Sequence, residues 1–416
     1  MQTLNRKMKL WVGTNMSVSR IEKIRSWFRE NIRIPIGVTI GICIAPVILI
    51  GLFYALRSSR PVMDWATAYI SAPIRGFFAL LSSIYPFAVM EVVATFAGVF
   101  FIYYIVRSIR VTARRRGRWK LLGKRLLPVL VIICYIWAMF AWLWLVGYHA
   151  TGFAERYEFS NDGVYREDLF AVTQMFADRA SELAEQMERD ENGRYIADRR
   201  QMFADSVYVF DNIAEEFPSL EGRLFVPKSM LYSWLMSITG YSGMYFALTG
   251  EAMINTQMPG AMMPHTVAHE HAHQLGIFAE DEANLVAILA GVSSDNPAFQ
   301  YAAYMAGLTR LLNALWESDD PTVDGPSEEW QTVMDGLSEY IHIDWQESRE
   351  FWATRTTANT GVNFLDRFLT SVAETASDVV DTIYEGFLVA QGQELGLRSY
   401  GAFVDMLVEY FAPRLR

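Results

Sequence analysis

MPHTVAHEHAHQLGIFAEDEANLVAILAG, residues 263–291, reads as a helix, a turn and a second helix, and the rest of the chain can be arranged around it. Pro264 suits the first turn of the leading helix, where its missing N–H would have no helical partner in any case. Gly276 suits the stop, since a helix commonly ends on a residue in left-handed conformation. Between them His269 and His273 stand four apart. On a helix both imidazoles leave the same face and can bind one Zn2+. Glu270 follows the first of them and points beside the metal, where it can take a proton from an activated water and pass it to a leaving amine. The chain has only six His (His149, His265, His269, His271, His273 and His342), and four fall within nine residues. A pair of His on an otherwise apolar helix (Val267, Ala268, Ala272, Leu275) has little structural rationale.

A third ligand is expected from the second helix, which starts at about Glu280. Glu280 and Asn284 are four apart and share a face, the ExxxD/N arrangement of the glutamate-type zincins. There the acid binds metal and the residue four on orients a His ligand from the second shell. Glu282 lies about 200° round the helix from Glu280 and points elsewhere, so helical geometry favours Glu280 and leaves Glu282 as the alternative. The motif is not a metzincin's: Gly276 sits three after His273, but Ala279 occupies the position of the third His. His265, one turn before His269, could face the same cleft. His271 is expected on the opposite face, in solvent. Tyr301, Tyr304, Tyr384 and Tyr400 are candidate donors to a tetrahedral oxyanion.

Outward from this stretch the charge is uneven. Residues 1–150 hold 20 of the 36 Lys and Arg but only four acids (Glu22, Glu30, Asp64, Glu91), about +16 net, while residues 151–416 hold the other 16 basic residues and 42 acidic ones, about −26. Such asymmetry marks two physical environments, and an acidic domain repels nucleic acid. Both cysteines, Cys43 and Cys134, lie in apolar runs. The acidic part therefore has no disulfide and no thiolate for a metal.

Three apolar stretches are long enough to span about 30 Å of hydrocarbon: Val38 to Leu56, Ile84 to Val106, and Leu126 to Tyr148. The leader carries eight Lys and Arg, the loop between spans two and three nine, and the loop between spans one and two three (Arg57, Arg60, Arg75). Positive charge stays in the cytoplasm. The chain thus divides into a basic cytoplasmic leader (1–34), a membrane domain (35–149) and an acidic extracytoplasmic domain (150–416). Met63–Ser82 looks like an amphipathic helix on the membrane surface. Glu91, near the start of span two, is a functional candidate or an interfacial structural acid.

Within the acidic domain Val164–Met187 and Arg194–Phe217 show helical periodicity, Met244–Asn255 reads as a strand or hairpin able to pair with an extended peptide, and Asp319–Pro326 as a surface loop. The expected fold is mainly α: three transmembrane helices plus a mostly helical zincin-like domain with a small β element.

These residues resemble a bacterial membrane family known as domain of unknown function 3810. The resemblance rests on PHTVAHEHAHQLG and EDEAN, with RPVMDW (60–65), YPFAVMEVV (85–93), SSDNPAFQYAAYMAGL (293–308) and YEGFLVAQGQELGLRSYG (384–401) beyond them. His265, where the family usually has Phe, and His271 depart from its pattern. The resemblance implies a metallopeptidase and supplies no substrate. The expected function is a membrane-anchored, zinc-dependent peptidase acting on a peptide or protein substrate beside the lipid bilayer, with Glu270 as general base. The alternative is a non-catalytic sensor or scaffold with a structural metal site.

Overall fold

The computed structural model describes residues 35–113, 118–159, 163–316, 325–356 and 400–416. Among them are three helices apolar and long enough to cross a membrane: α1 (Ile36–Leu56), then, after two shorter helices, α4 (Val89–Ala113) and α5 (Arg118–Leu143). Span two starts later than the apolar run suggested. Pro86 lacks an N–H and restricts Tyr85 before it, so the chain turns through Ile84–Phe87 before α4 begins. Span three runs from further upstream to Leu143, and Leu145–His149 tighten into a 3-10 turn. Inside a bilayer every backbone group needs a partner. Pro46 within α1 frees the carbonyl of Ile42 four residues back, and the Tyr135 hydroxyl of α5 donates to it at 3.0 Å. The Trp142 indole donates to Leu49 O at 2.9 Å, a second stitch between the same two spans.

Between α1 and α4 lies the stretch read as a surface helix. It is α2 (Arg60–Ala66), a π-helical turn (Thr67–Ser71) and α3 (Ala72–Ser83) in one line. One side exposes Trp65, Tyr69, Phe77, Leu80 and Leu81. The other side is not solvated, as a plain amphipathic helix would have it. Met63, Ala66, Ser71, Arg75, Ala79 and Ser82 are buried against the rest of the protein.

The acidic part continues with α6 (Phe153–Arg156) and α7 (Arg166–Ala184). The expected helix over Arg194–Phe217 breaks into α8 (Arg199–Asp205), a 3-10 turn (Ser206–Tyr208) and α9 (Asp211–Ala214). Two side chains cause this. Asp198 caps α8 by accepting from Gln201 N at 3.0 Å, and the Ser206 hydroxyl turns back to Phe203 O at 2.8 Å. Met202, Phe210 and Ile213 keep their place in the core, which is why the periodicity looked continuous.

A three-stranded sheet follows: β1 (Lys228–Ser229), then α10 (Ser233–Ile238), then β2 (Gly243–Phe246) and β3 (Glu251–Ile254). Strand order is β1-β3-β2, with β1 parallel and β2 antiparallel to β3, the latter in the register Gly243↔Ile254 to Phe246↔Glu251. The hairpin read at Met244–Asn255 is thus real, and only its first strand is an edge. Five further helices complete the domain among the described residues: α11 (Met263–Leu275), α12 (Glu280–Ser293), α13 (Pro297–Leu315), α14 (Glu328–Asp335) and α15 (Glu339–Thr356), with α16 (Tyr400–Leu415) near the C-terminus. The α7, α11, α12, α13 and α16 helices pack around Phe176, Leu285, Tyr301, Met305, Leu308, Phe403 and Leu407. Each such side chain contributes roughly 1.5–3 kcal/mol by leaving water. Most of the expected Asp319–Pro326 loop and the stretch 384–399 lie outside the described residues.

The domain is fastened to the spans, not merely tethered. Glu251 of β3 accepts from Val89 N (2.8 Å) and Met90 N (2.9 Å), the free donors at the head of α4, and pairs with buried Lys228 at 2.7 Å. Glu91 is the structural acid of the two readings: its carboxylate accepts from Leu231 N (2.6 Å) and Tyr232 N (3.0 Å). Asp64 accepts from the amide and hydroxyl of Thr151.

Candidate metal centre

The α11 helix has Pro264 in its first turn and ends on Gly276 at φ 102°. The Gly276 and Ile277 amides return to His273 O and Ala272 O, so the left-handed residue closes a Schellman turn. That turn aims the Ile277 carbonyl at His273, whose Nδ1–H donates to it at 2.7 Å. The bond fixes the ring so that Nε2, once its proton is displaced, presents a lone pair on the helix face shared with His269. The two rings lie 4.7 Å apart, nearly perpendicular.

After three residues α12 begins and brings Glu280 onto this pair. Its Oε2 is 3.1 Å from His269 Nε2 and its Oε1 3.6 Å from His273 Nε2. The ligand atoms of all three lie within 4.8 Å of one another. Glu282 does not join them. It caps α6, accepting from Ala154 N at 2.9 Å. Asn284 contacts neither imidazole of the cluster. Its amide donates to Glu280's own carbonyl at 2.7 Å and lies against His265, which shares the cluster's side of α11.

Electrostatics follow from burial and proximity. Burial works against a proton on His273, but the Glu280 charge and hydrogen bond hold its pKa up at about 9. Burial likewise opposes charge on Glu280, and His273 and His269 outweigh it, keeping the carboxyl well below its usual range. Glu270 is buried with little to compensate. Its pKa is pushed up to about 7, by burial first and then by Glu280, against the pull of both His. Its Oε2 has no hydrogen-bond partner among the described residues. Its Oε1 would stand 2.6 Å from a Cβ at Gly243, so the first residue of β2 has to be glycine for the strand to cross the carboxylate this closely.

His271 is not solvated. It is fully buried, its Nε2 meets Ser206 Oγ at 2.9 Å, and burial takes its pKa down to about 3. The reason is that the 3-10 turn Ser206–Tyr208 covers the back of α11, a contact between segments 65 residues apart. The tyrosine candidates also fall elsewhere. Tyr301 donates to Asp344 beside Arg189, and Tyr304 meets Phe176 edge to face. Tyr384 and the side chain of Tyr400 lie outside the described residues.

The sequence matches the family described as Protein of unknown function (DUF3810) over residues 67–408. The chain belongs to this family. The DUF3810 match opens in the π-helical turn and closes in α16, so it takes in two spans, the sheet and the centre. Comparison with curated proteins and with solved structures gives no match.

Four DUF3810 residues at the centre were missed by sequence reasoning, all from the membrane part or the sheet. Trp144, directly after span α5, sets its ring edge-on to His273 at 5.4 Å. Tyr245 of β2 follows at 6.4 Å. Tyr148 lies in the field of Glu280: burial, then the Glu280 and Asp281 charges, raise its pKa, so its hydroxyl keeps its proton. Arg75 is buried, donates to His273 O (3.1 Å), Gln274 O (3.4 Å) and Tyr245 Oη (3.2 Å), and lies over the Phe278 ring. Its charge rests on the carbonyl end of α11, where a cation is stabilising by about 0.3–2 kcal/mol. One signal was available: a single Arg inside the apolar run APIRGFFALLSS (72–83). Beside the centre a cavity of about 850 Å3 is lined by Arg75, Tyr148, Phe278 and Glu282 but by none of His269, Glu270, His273 or Glu280, so it is a neighbour of the centre and not the centre itself.

Proposed function

We propose that the protein is a membrane-anchored zinc peptidase whose catalytic group is Glu270. The observation that carries this reading is a buried carboxylate with an unpartnered oxygen, next to a His, His, Glu cluster and under an edge strand. The donor set suits zinc: two imidazole nitrogens and one carboxylate oxygen. Donors about 2.1 Å from a tetrahedral ion stand about 3.4 Å apart, between the 3.1 and 3.6 Å separations here. Three protein ligands leave one position for a reactant, whereas structural sites are usually closed by four. A zinc ion held by His269, His273 and Glu280 would supply a Lewis acid.

The remaining work falls to the chain. Glu270, with a pKa near neutrality, can accept a proton from a water and return it to the leaving amine. Asn255 N bonds Ser242 O at 2.9 Å, which places residues 242, 244 and 246 in the bonded pairs with β3. The main-chain groups of Gly243 and Tyr245 therefore point to the open side of β2, where an extended peptide can add as a strand across Glu270. Tyr148, kept neutral by burial and by the Glu280 and Asp281 charges, can donate to a developing oxyanion. The domain packs on the ends of the spans away from the Arg107–Arg125 loop, and with that basic loop in the cytoplasm it faces outward.

The test is Glu270→Gln in the purified full-length protein. Zinc content should be unchanged and hydrolysis of a peptide library should fall about 10²–10⁴-fold. Equal hydrolysis by both proteins would refute the mechanism. Zinc binding with no hydrolysis by the wild type would leave the scaffold reading.

A further inference from the structure

We infer that the substrate is a polypeptide anchored in the same membrane, cut within a few residues of the point where it leaves the bilayer. This rests on the peptidase reading and adds the substrate class to it. The centre sits at the height of the span ends. Leu143 is the last residue of span α5, and its neighbour Trp144 already touches the His273 ring. Tyr245 and Ala247, on β2 and just beyond it, pack with Met139 and Leu143 of that span. Met244 and Phe246, on the other face of β2, pack with Ala88 and Met90 at the head of span α4. A chain of hydrogen bonds continues from span to centre: Ser71 donates to Leu143 O at 3.0 Å, Arg75 donates to Ser71 at 3.2 Å, and Arg75 donates to His273 O at 3.1 Å.

Two apolar surfaces fix the same level independently. One is the exposed side of the 60–83 helix, with Trp65, Tyr69, Phe77 and Leu80. The other is the segment after β1, where Leu231, Tyr232, Trp234 and Leu235 are all exposed while Glu91 of span α4 holds the Leu231 and Tyr232 amides. Aromatic residues of this kind settle in the headgroup layer. The open edge of β2 therefore runs at the membrane surface, fixed there by Glu251 on the head of α4 and by Glu91 of α4 on the Leu231 and Tyr232 amides.

A slot at that height favours one kind of chain. A folded soluble protein cannot bring an extended segment flat against the headgroups without unfolding there. A chain emerging from its own transmembrane helix presents its first residues at this level, already confined to the surface.

The experiment co-reconstitutes the full-length protein in liposomes with two libraries of single-span polypeptides. In one, ten randomised residues begin two residues beyond the span. In the other, a 25-residue Gly/Ser spacer separates them from it. The same ten-residue library is also supplied as free peptide, and Glu270→Gln protein serves as control. Cuts are mapped by mass spectrometry. The expected result is Glu270-dependent cleavage at least tenfold faster in the near library, clustered in its first positions. Equal rates, or faster cleavage of the spaced or free library, would overturn the membrane-anchored substrate while leaving the peptidase standing. No Glu270-dependent cleavage of any library would overturn both.

Discussion

Two groups of buried acids lie on either side of the small sheet, and they are treated differently. On the membrane side Glu251 and Glu91 are saturated: the first has Val89 N, Met90 N and Lys228, the second Leu231 N and Tyr232 N. On the α11 side Glu270 keeps one oxygen without a partner, and His265 Nδ1 is likewise unpaired among the described residues. Buried polar groups are normally satisfied because an orphan costs about 1–3 kcal/mol. The saturated acids therefore hold the domain on the spans, and the unsaturated one is the group we propose for the reaction.

The sharpest way to break this contrast is to neutralise one acid of each kind. Glu270→Gln should lower peptide hydrolysis by about 10²–10⁴-fold with the melting temperature nearly unchanged. Glu251→Ala should do the reverse in kind. It leaves Lys228 buried without its counter-ion, so unfolding free energy should drop by about 3 kcal/mol or more in a denaturant titration, with zinc still bound at the folded plateau. A stability loss in the first variant and none in the second would invert the assignment.

Glu280 and Glu282 give a narrower test. Glu280→Gln should weaken zinc binding by about 100-fold or more in a chelator competition, because it removes a charged ligand from the cluster. Glu282→Gln should leave zinc affinity within about threefold and cost only part of the α6 cap. Similar losses in both would show that the metal sits elsewhere.

A last test is in pH. In the metal-free protein His273 holds its proton up to about pH 9, above its ordinary value of 6.5. The stability this adds is complete below about pH 6.5 and is lost as pH rises through about 9. Zinc must displace the same proton, so its affinity should rise about tenfold per pH unit from 7 to 9 and then level. A flat affinity across that window would exclude His273 as a ligand that is protonated in the free protein.

The sequence by itself determined what neighbours along the chain decide. The three spans follow from apolar length, the limits of α11 from Pro264 and Gly276, and the shared face of His269 and His273 from a four-residue interval. The phase that puts Glu280 on the cluster and turns Glu282 to α6 is also local, since it depends only on the helix repeat. Only the tertiary structure decided the rest. The burial of His271 comes from Ser206, and the break in 194–217 serves that same packing. The centre's outer wall is made by Arg75, Trp144, Tyr148 and Tyr245, drawn from a surface helix, a span end, a 3-10 turn and an edge strand. Arg75 reaches a carbonyl 198 residues away. Periodicity reports which face of an element is apolar, but not which other element will cover it. That choice rests on packing and on the pairing of buried charges across the fold, and here it brought the His269, His273 and Glu280 cluster against the end of span α5.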